Sequence, residues 1–214
     1  MTEASNPPPK KRSLLHSPYF WATLAGLIFI PLLRPLLRHV PNPPPVIGQV
    51  PAFSLTDTRG EPFGSSELEG QVYVANFIFT RCASICPLLT RSMGQLQERY
   101  DATGVDGIRL VSITVDPEYD TPDRLREYAA AHGADPRRWE FLTGPEPQIR
   151  ELVERGFKTA MGVPESANGL IDVAHSGKFV LVDGDGGIRG YYGTDEMGLD
   201  EIYHRSRHVL EQRR

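Results

Sequence analysis

The stretch VYVANFIFTRCASICP, residues 72–87, decides how this chain is read. Residues 72–79 are apolar, β-branched and aromatic, interrupted by one polar residue, Asn76. A run without alternation suits a central strand buried on both faces. Pro87 has no N–H and is tolerated only in the first turn of a helix, so a helix begins at or beside Cys86. Leu89, Met93, Leu96 and Tyr100 then recur at steps of four, three and four, which gives that helix one apolar face. A strand feeding directly into a helix puts Cys82 in the intervening loop and Cys86 at the helix start. That is the carboxyl edge of a sheet, where open α/β folds place their sites.

The pattern continues on both sides. PAFSLTDTRGEPF (51–63) predicts a short hairpin turning at TRGE. IRLVSITV (108–115) predicts a second buried strand, and TPDRLREYAAAHG (121–133) a helix with Thr121 as N-cap, Pro122 at the first position and Gly133 as stop. EPQIRELVERGF (146–157) reads as a further helix. KFVLVDGDGGIRGYYG (178–193) reads as a strand, a glycine-rich turn and a returning strand, and residues 195–214 as a final amphipathic helix. No internal repeat is present, and the order of elements specifies an α/β layer architecture.

The amino-terminal segment is of another kind. Residues 1–18 are polar and basic, residues 19–38 form the expected transmembrane anchor, and a proline-rich tether over 39–49 leads into a domain over 50–214. The uninterrupted apolar run, Tyr19 to Leu33, is 15 residues, against about 20 for a bilayer. Arg34 and Arg38 can snorkel at one interface while Tyr19 and Trp21 sit at the other. A cleaved signal peptide lacks its small-residue cleavage site, and a buried core helix conflicts with the tether that follows. Three Lys or Arg precede the run and two follow it, which sets the domain outside the cytoplasm, in a bacterial periplasm.

Charge divides the same way. Lys10, Lys11, Arg12, Arg34 and Arg38 against Glu3 give residues 1–40 a net +4, so the chain total of -4 leaves -8 for the rest. An acidic domain lacks the footprint for nucleic-acid binding. At 40% apolar residues the chain can build a packed core.

Cys82 and Cys86 are the only cysteines, enough for one disulfide or one site. A helix start lowers a thiol pKa and favours the thiolate. Closed tetrahedral zinc needs four protein ligands, whereas two thiolates and one imidazole suit Cu(I). His16 and His39 flank the apolar segment, His132 ends a helix, and His204 and His208 share a face of the last helix that solvent would cover. His175 lies just before an apolar strand, and the residues leave open whether it is a ligand or a structural histidine. A structural disulfide is the plain alternative for the cysteines. A peroxidase would need an Arg and a Thr at its thiolate. Thr80 and Arg81 are adjacent in sequence, which does not place them there.

FSLTDTRGEPFGSSELEGQVYVANFIFTRCASICP (53–87), TVDPEYDTPDRL (114–125) and DVAHSGKFVLVDGDGGIRGYYGTDE (172–196) together resemble the Sco/SenC family of membrane-anchored copper chaperones. The resemblance covers roughly residues 50–210 in the family's order. It implies a thioredoxin-like fold and a copper site, Cu(I) or Cu(II), made by Cys82, Cys86 and His175, with the two cysteines forming a disulfide when oxidised. It implies a role in delivering copper to the binuclear centre of cytochrome c oxidase, or in keeping that centre's thiols reduced. The implied partners are the copper-bearing subunit of cytochrome c oxidase and other copper chaperones or thiol–disulfide reductants. Ala83 departs from the proline usual in the family and Tyr119 from a common basic residue, which bears on loop rigidity and redox tuning. Asp116 and Asp120 read either as groups supporting the site or docking a partner, or, for Asp120, as acting with Thr121 at a helix start. The competing function is a membrane-anchored thiol–disulfide oxidoreductase with no metal role. Such enzymes space their cysteines by two residues, not three.

Overall fold

The computed structural model describes residues 17–33, 43–82, 86–159, 165–167, 170–172 and 177–212, in two units that divide after Asn42. The first unit holds helix α1 (Pro18–Leu33), on which Tyr19, Trp21, Leu27, Phe29 and Ile30 are exposed. Its 16 residues span about 24 Å, less than the roughly 30 Å of a hydrocarbon core. No helix among the described residues is long and apolar enough to cross a membrane. Residues 34–38 of the expected anchor lie outside the described residues.

The second unit begins with β1 (Gly48–Gln49), β2 (Ser54–Thr56), β3 (Pro62–Gly64), α2 (Ser65–Leu68), β4 (Val72–Ile78) and α3 (Cys86–Ala102). It continues with β5 (Ile108–Thr114), α4 (Pro122–Ala131), β6 (Trp139–Leu142), α5 (Glu146–Glu151) and a π-helical turn (Leu152–Gly156). β7 (Glu165–Ala167), β8 (Leu170–Asp172), β9 (Phe179–Val182), β10 (Gly187–Tyr192) and α6 (Glu196–Glu211) complete it. Six strands form one sheet in the order β1-β10-β9-β4-β5-β6. β4, β5 and β6 are parallel, while β9, β10 and β1 are each antiparallel to the neighbour before them in that order from the centre. β4 lies inside the sheet with all seven residues buried, as its unbroken apolar run predicts.

Asn76 is the exception in that run, and the sheet accommodates it. Ser112 in β5, its register partner, donates to Asn76 Oδ1 at 2.6 Å, and Trp139 Nε1 in β6 donates to Ser112 Oγ at 2.9 Å. Phe77 points to the opposite face by strand alternation and meets Phe157 edge-to-face at 5.2 Å. α3 and α6 pack on each other through Tyr100 and Tyr203, stacked at 5.5 Å, with the Tyr100 hydroxyl hydrogen-bonded to Ser206 Oγ at 2.7 Å.

The predicted hairpin is present as β2 and β3, and Thr121 caps α4 by accepting from the Arg124 N–H. The helix predicted over 146–157 instead changes pitch: after Glu151 it widens to a π turn, closed by Phe157 N–H donating to Leu152 C=O at 2.8 Å. β6 goes unread in the sequence. Four residues, WEFL, are too few to show a period, and pairing with β5 is what makes them a strand.

Candidate thiol site

β4 and β5 end together, Ile78 opposite Thr114. The chain then turns, with Cys82 N–H donating to Phe79 C=O at 3.2 Å, and α3 begins at Cys86. The Cys86 N–H, one of the amides a helix start leaves without an intrahelical partner, donates to Cys82 Sγ at 3.4 Å. Both cysteines are buried thiols, Cys82 at 6% exposure and Cys86 at 0%. They share the sheet edge that the sequence assigns them. Ala83, the departure from the family pattern, lies outside the described residues.

One expectation is corrected. A helix start favours thiolate, yet burial pushes the Cys86 thiol well up, and the Cys82 side chain adds to the rise while a Phe79 backbone hydrogen bond opposes it. The Cys86 sulfur is buried, and desolvation penalises its thiolate. Buried neutral thiols are slow nucleophiles, but they surrender their protons to a soft metal that replaces the lost solvation.

The loop that carries Cys82 is tied to the β5–α4 loop twice. Inside, Asp120 is fully buried and accepts from the Thr80 N–H at 3.1 Å, from Thr80 Oγ1 at 2.5 Å and from Thr114 Oγ1 at 2.5 Å. Burial raises its pKa, hydrogen bonds from Thr114 and Thr80 pull the other way, and the neighbouring Asp116 adds to the rise. Outside, Arg81 Nε pairs with Asp116 at 2.6 Å. The Tyr119 ring receives Arg81 at 4.8 Å and Arg124 at 3.8 Å, so it carries two guanidinium groups where the family commonly has a basic residue. Of the two readings of Asp120, the helix-start role is corrected. Thr121 caps α4, and Asp120 turns inward to the cysteine loop. Thr114 goes unread as a site residue, and Thr80 is considered only for a peroxidase role. A threonine at or just past the end of each of two adjacent buried strands is the available signal.

The histidines separate. His132 Nδ1 lies 2.8 Å from Tyr128 C=O at the end of α4, and exposed His204 lies 3.7 Å from the Asp200 carboxylate on α6. His16, His39 and His175 lie outside the described residues. Among the described residues no group of three His, Cys, Asp or Glu side chains could hold a metal ion. Cys82 and Cys86 therefore supply two soft donors in a water-poor setting, a set that fits Cu(I) and not Mg²⁺ or Ca²⁺.

A parallel β4–β5 pair, a helix begun by the second of two buried thiols and an antiparallel β9–β10 hairpin define a thioredoxin-like thiol domain. The chain belongs to the SCO1/SenC family, whose model matches residues 45–211. It is 34% identical over 180 residues to the SCO1 protein homolog of Bacillus subtilis (strain 168), covering 83% of this chain and 90% of that one. Among solved structures it is similar to BsSco, a member of the Sco family of cytochrome c oxidase assembly proteins in which a disulfide switch was identified. The TM-score is 0.69 at 30% identity, over 79% of this chain and 98% of that chain. It is also similar to yeast Sco1 with copper bound, at TM-score 0.60 and 25% identity, over 72% of this chain and 86% of that chain.

Proposed function

We propose that this protein is a copper-binding assembly factor for cytochrome c oxidase, delivering copper to the binuclear centre or keeping the recipient thiols reduced. The observation that carries the reading is the pair of buried sulfurs at one sheet edge, Cys86 N–H bonded to Cys82 Sγ at 3.4 Å, in a SCO1/SenC chain. Copper is cargo here, and Cys82 and Cys86 hold it with His175 as the third ligand that the family pattern supplies. Oxidation of the pair to a disulfide removes both thiolates, so occupancy follows redox state. Residues 19–38 anchor the chain in a membrane, with the domain on the non-cytoplasmic side.

Reduced full-length protein in detergent is expected to take up about one Cu(I) per chain, since it has one ligand set. Cys82→Ala, Cys86→Ala and His175→Ala are each expected to lose tenfold or more in affinity by competition with a Cu(I) chelator. Parent-like binding by all three would sink the assignment. The second reading, a thiol–disulfide oxidoreductase, draws on the closeness of the two sulfurs. Rapid reduction of a model disulfide without measurable Cu(I) affinity would favour it.

A further inference from the structure

Past Ile78 and Thr114 the β4–β5 ladder stops. Its last rung is the Val115 N–H donating to Ile78 C=O at 2.8 Å. Beyond it the two chains diverge, one toward Cys82 and the other toward α4, and the Thr80 N–H falls in the widening gap. Asp120 fills that gap. One carboxylate accepts from the Thr80 amide at 3.1 Å and from the hydroxyls of Thr80 and Thr114, so a side chain supplies the rung that the backbone no longer can. Cys82 follows two residues later. The distance from its sulfur to the Cys86 amide thus depends on the start of α3 on one side and, on the other, on where Thr80 is pinned.

Asp120 is a poor choice for stability alone. It is fully buried and forms no ion pair among the described residues, so hydrogen bonds alone offset the desolvation of its charge. Capping α4 does not explain it, because Thr121 performs that role. What the carboxylate does supply is a rigid tie, with two oxygens and three donors, directly behind the first cysteine.

We propose that Asp120 is a positioning residue of the thiol site: through Thr80 it sets the Cys82 sulfur at the separation from Cys86 at which the pair closes a disulfide or grips a soft metal. The metal half of this statement rests on the function proposed above, whereas the disulfide half does not.

The test uses full-length protein in detergent and the variants Asp120→Asn, Asp120→Ala and Thr80→Val. Three quantities are read: the urea midpoint, the equilibrium constant of the Cys82–Cys86 dithiol against glutathione buffers without copper, and Cu(I) affinity against a chelator. Asn keeps an oxygen for the Thr80 amide, and the Thr114 hydroxyl can turn to accept from its nitrogen. Asp120→Asn is therefore expected to stay within about twofold of the parent in both site constants. Asp120→Ala is expected to move the dithiol constant about tenfold, near 30 mV for a two-electron couple, and to weaken Cu(I) by a similar factor. Thr80→Val, which keeps the amide and loses the hydroxyl, is expected to fall between them. A lower urea midpoint with both site constants unmoved in Asp120→Ala would make Asp120 a structural strut and overturn the proposal. An Asn variant as impaired as Ala would overturn it too, by assigning the effect to charge. If Asp120→Ala fails to fold, an unshifted dithiol constant in Thr80→Val decides against the proposal. A parent that binds no Cu(I) refutes the copper reading while the dithiol constants still judge Asp120.

Discussion

Asp57 and Asp120 are both fully buried, and each holds a loop by accepting backbone N–H groups, yet the protein treats their charges in opposite ways. Asp57 sits in the β2–β3 turn, where it accepts from the Arg59 and Glu61 amides at 2.8 and 2.9 Å and pairs with the Arg59 guanidinium at 2.5 Å. Burial alone would raise its pKa, but the Glu61 and Arg59 hydrogen bonds and the guanidinium charge together hold it below the ordinary value. Asp120 has one amide, two hydroxyls and no ion pair among the described residues, and burial leaves its pKa raised. The carboxylate of the β2–β3 turn has a guanidinium partner. The contrast is between a carboxylate with a guanidinium partner and one held by hydrogen bonds alone beneath the Cys82 loop.

The largest expected effect is at the paired carboxylate. Asp57→Ala leaves two amides and a guanidinium without their acceptor and is expected to destabilise by about 2–3 kcal/mol in urea unfolding. The Cys82–Cys86 dithiol equilibrium should stay within twofold of the parent. A change there as large as that expected of Asp120→Ala would break the comparison, because the two aspartates would then serve the site alike.

Next in size is the dependence on pH. Asp57 has a depressed folded pKa, so its contribution is present above the ordinary carboxylate range and is lost as pH falls through the lower folded value. Asp120 has a raised folded pKa, so its contribution is complete below that range and is lost as pH rises through the higher folded value. Relative to the parent, Asp57→Asn should lose its handicap on strong acidification. Asp120→Asn should instead gain on the parent as pH rises above the ordinary carboxylate range. Urea midpoints of the three proteins from strong acid to neutral pH measure both slopes, and slopes of one sign would refute the contrast.

The smallest effect belongs to the outer tie. Arg81 pairs with Asp116 with 38% of its side chain exposed, where solvent screens the attraction. Arg81→Ala is expected to cost less than about 1 kcal/mol by thermal unfolding, and less still in high salt. A loss equal to that of Asp57→Ala would show that the outer tie, not the inner one, holds the loop.

Much of this site is legible in the chain. Pro87 places the start of α3, the run over 72–79 places β4, and together they put both cysteines at the sheet edge. Thr121 declares itself as a cap because capping is a contact between residues three apart. His175 enters only as a proposal from the family resemblance, since spacing alone leaves it undecided. Four-residue β6 and the π turn after Glu151 escape the reading, since one depends on a partner strand and the other on the packing of Phe157.

The division follows the range of the interactions. Strand burial, helix start and capping are written over a few residues, so local periodicity and one proline suffice to state them. The protonation of Cys86 and the purpose of Asp120 are not local properties. Helix start and carboxylate each carry a default expectation, a lowered thiol pKa and a cap, and both defaults fail once the chain folds. Thr80 and Asp120 are 40 residues apart, and the register of β4 on β5 brings them together. Burial of the Cys86 sulfur in the assembled core raises its pKa by desolvation, an effect of the tertiary fold that a helix start in the sequence does not announce.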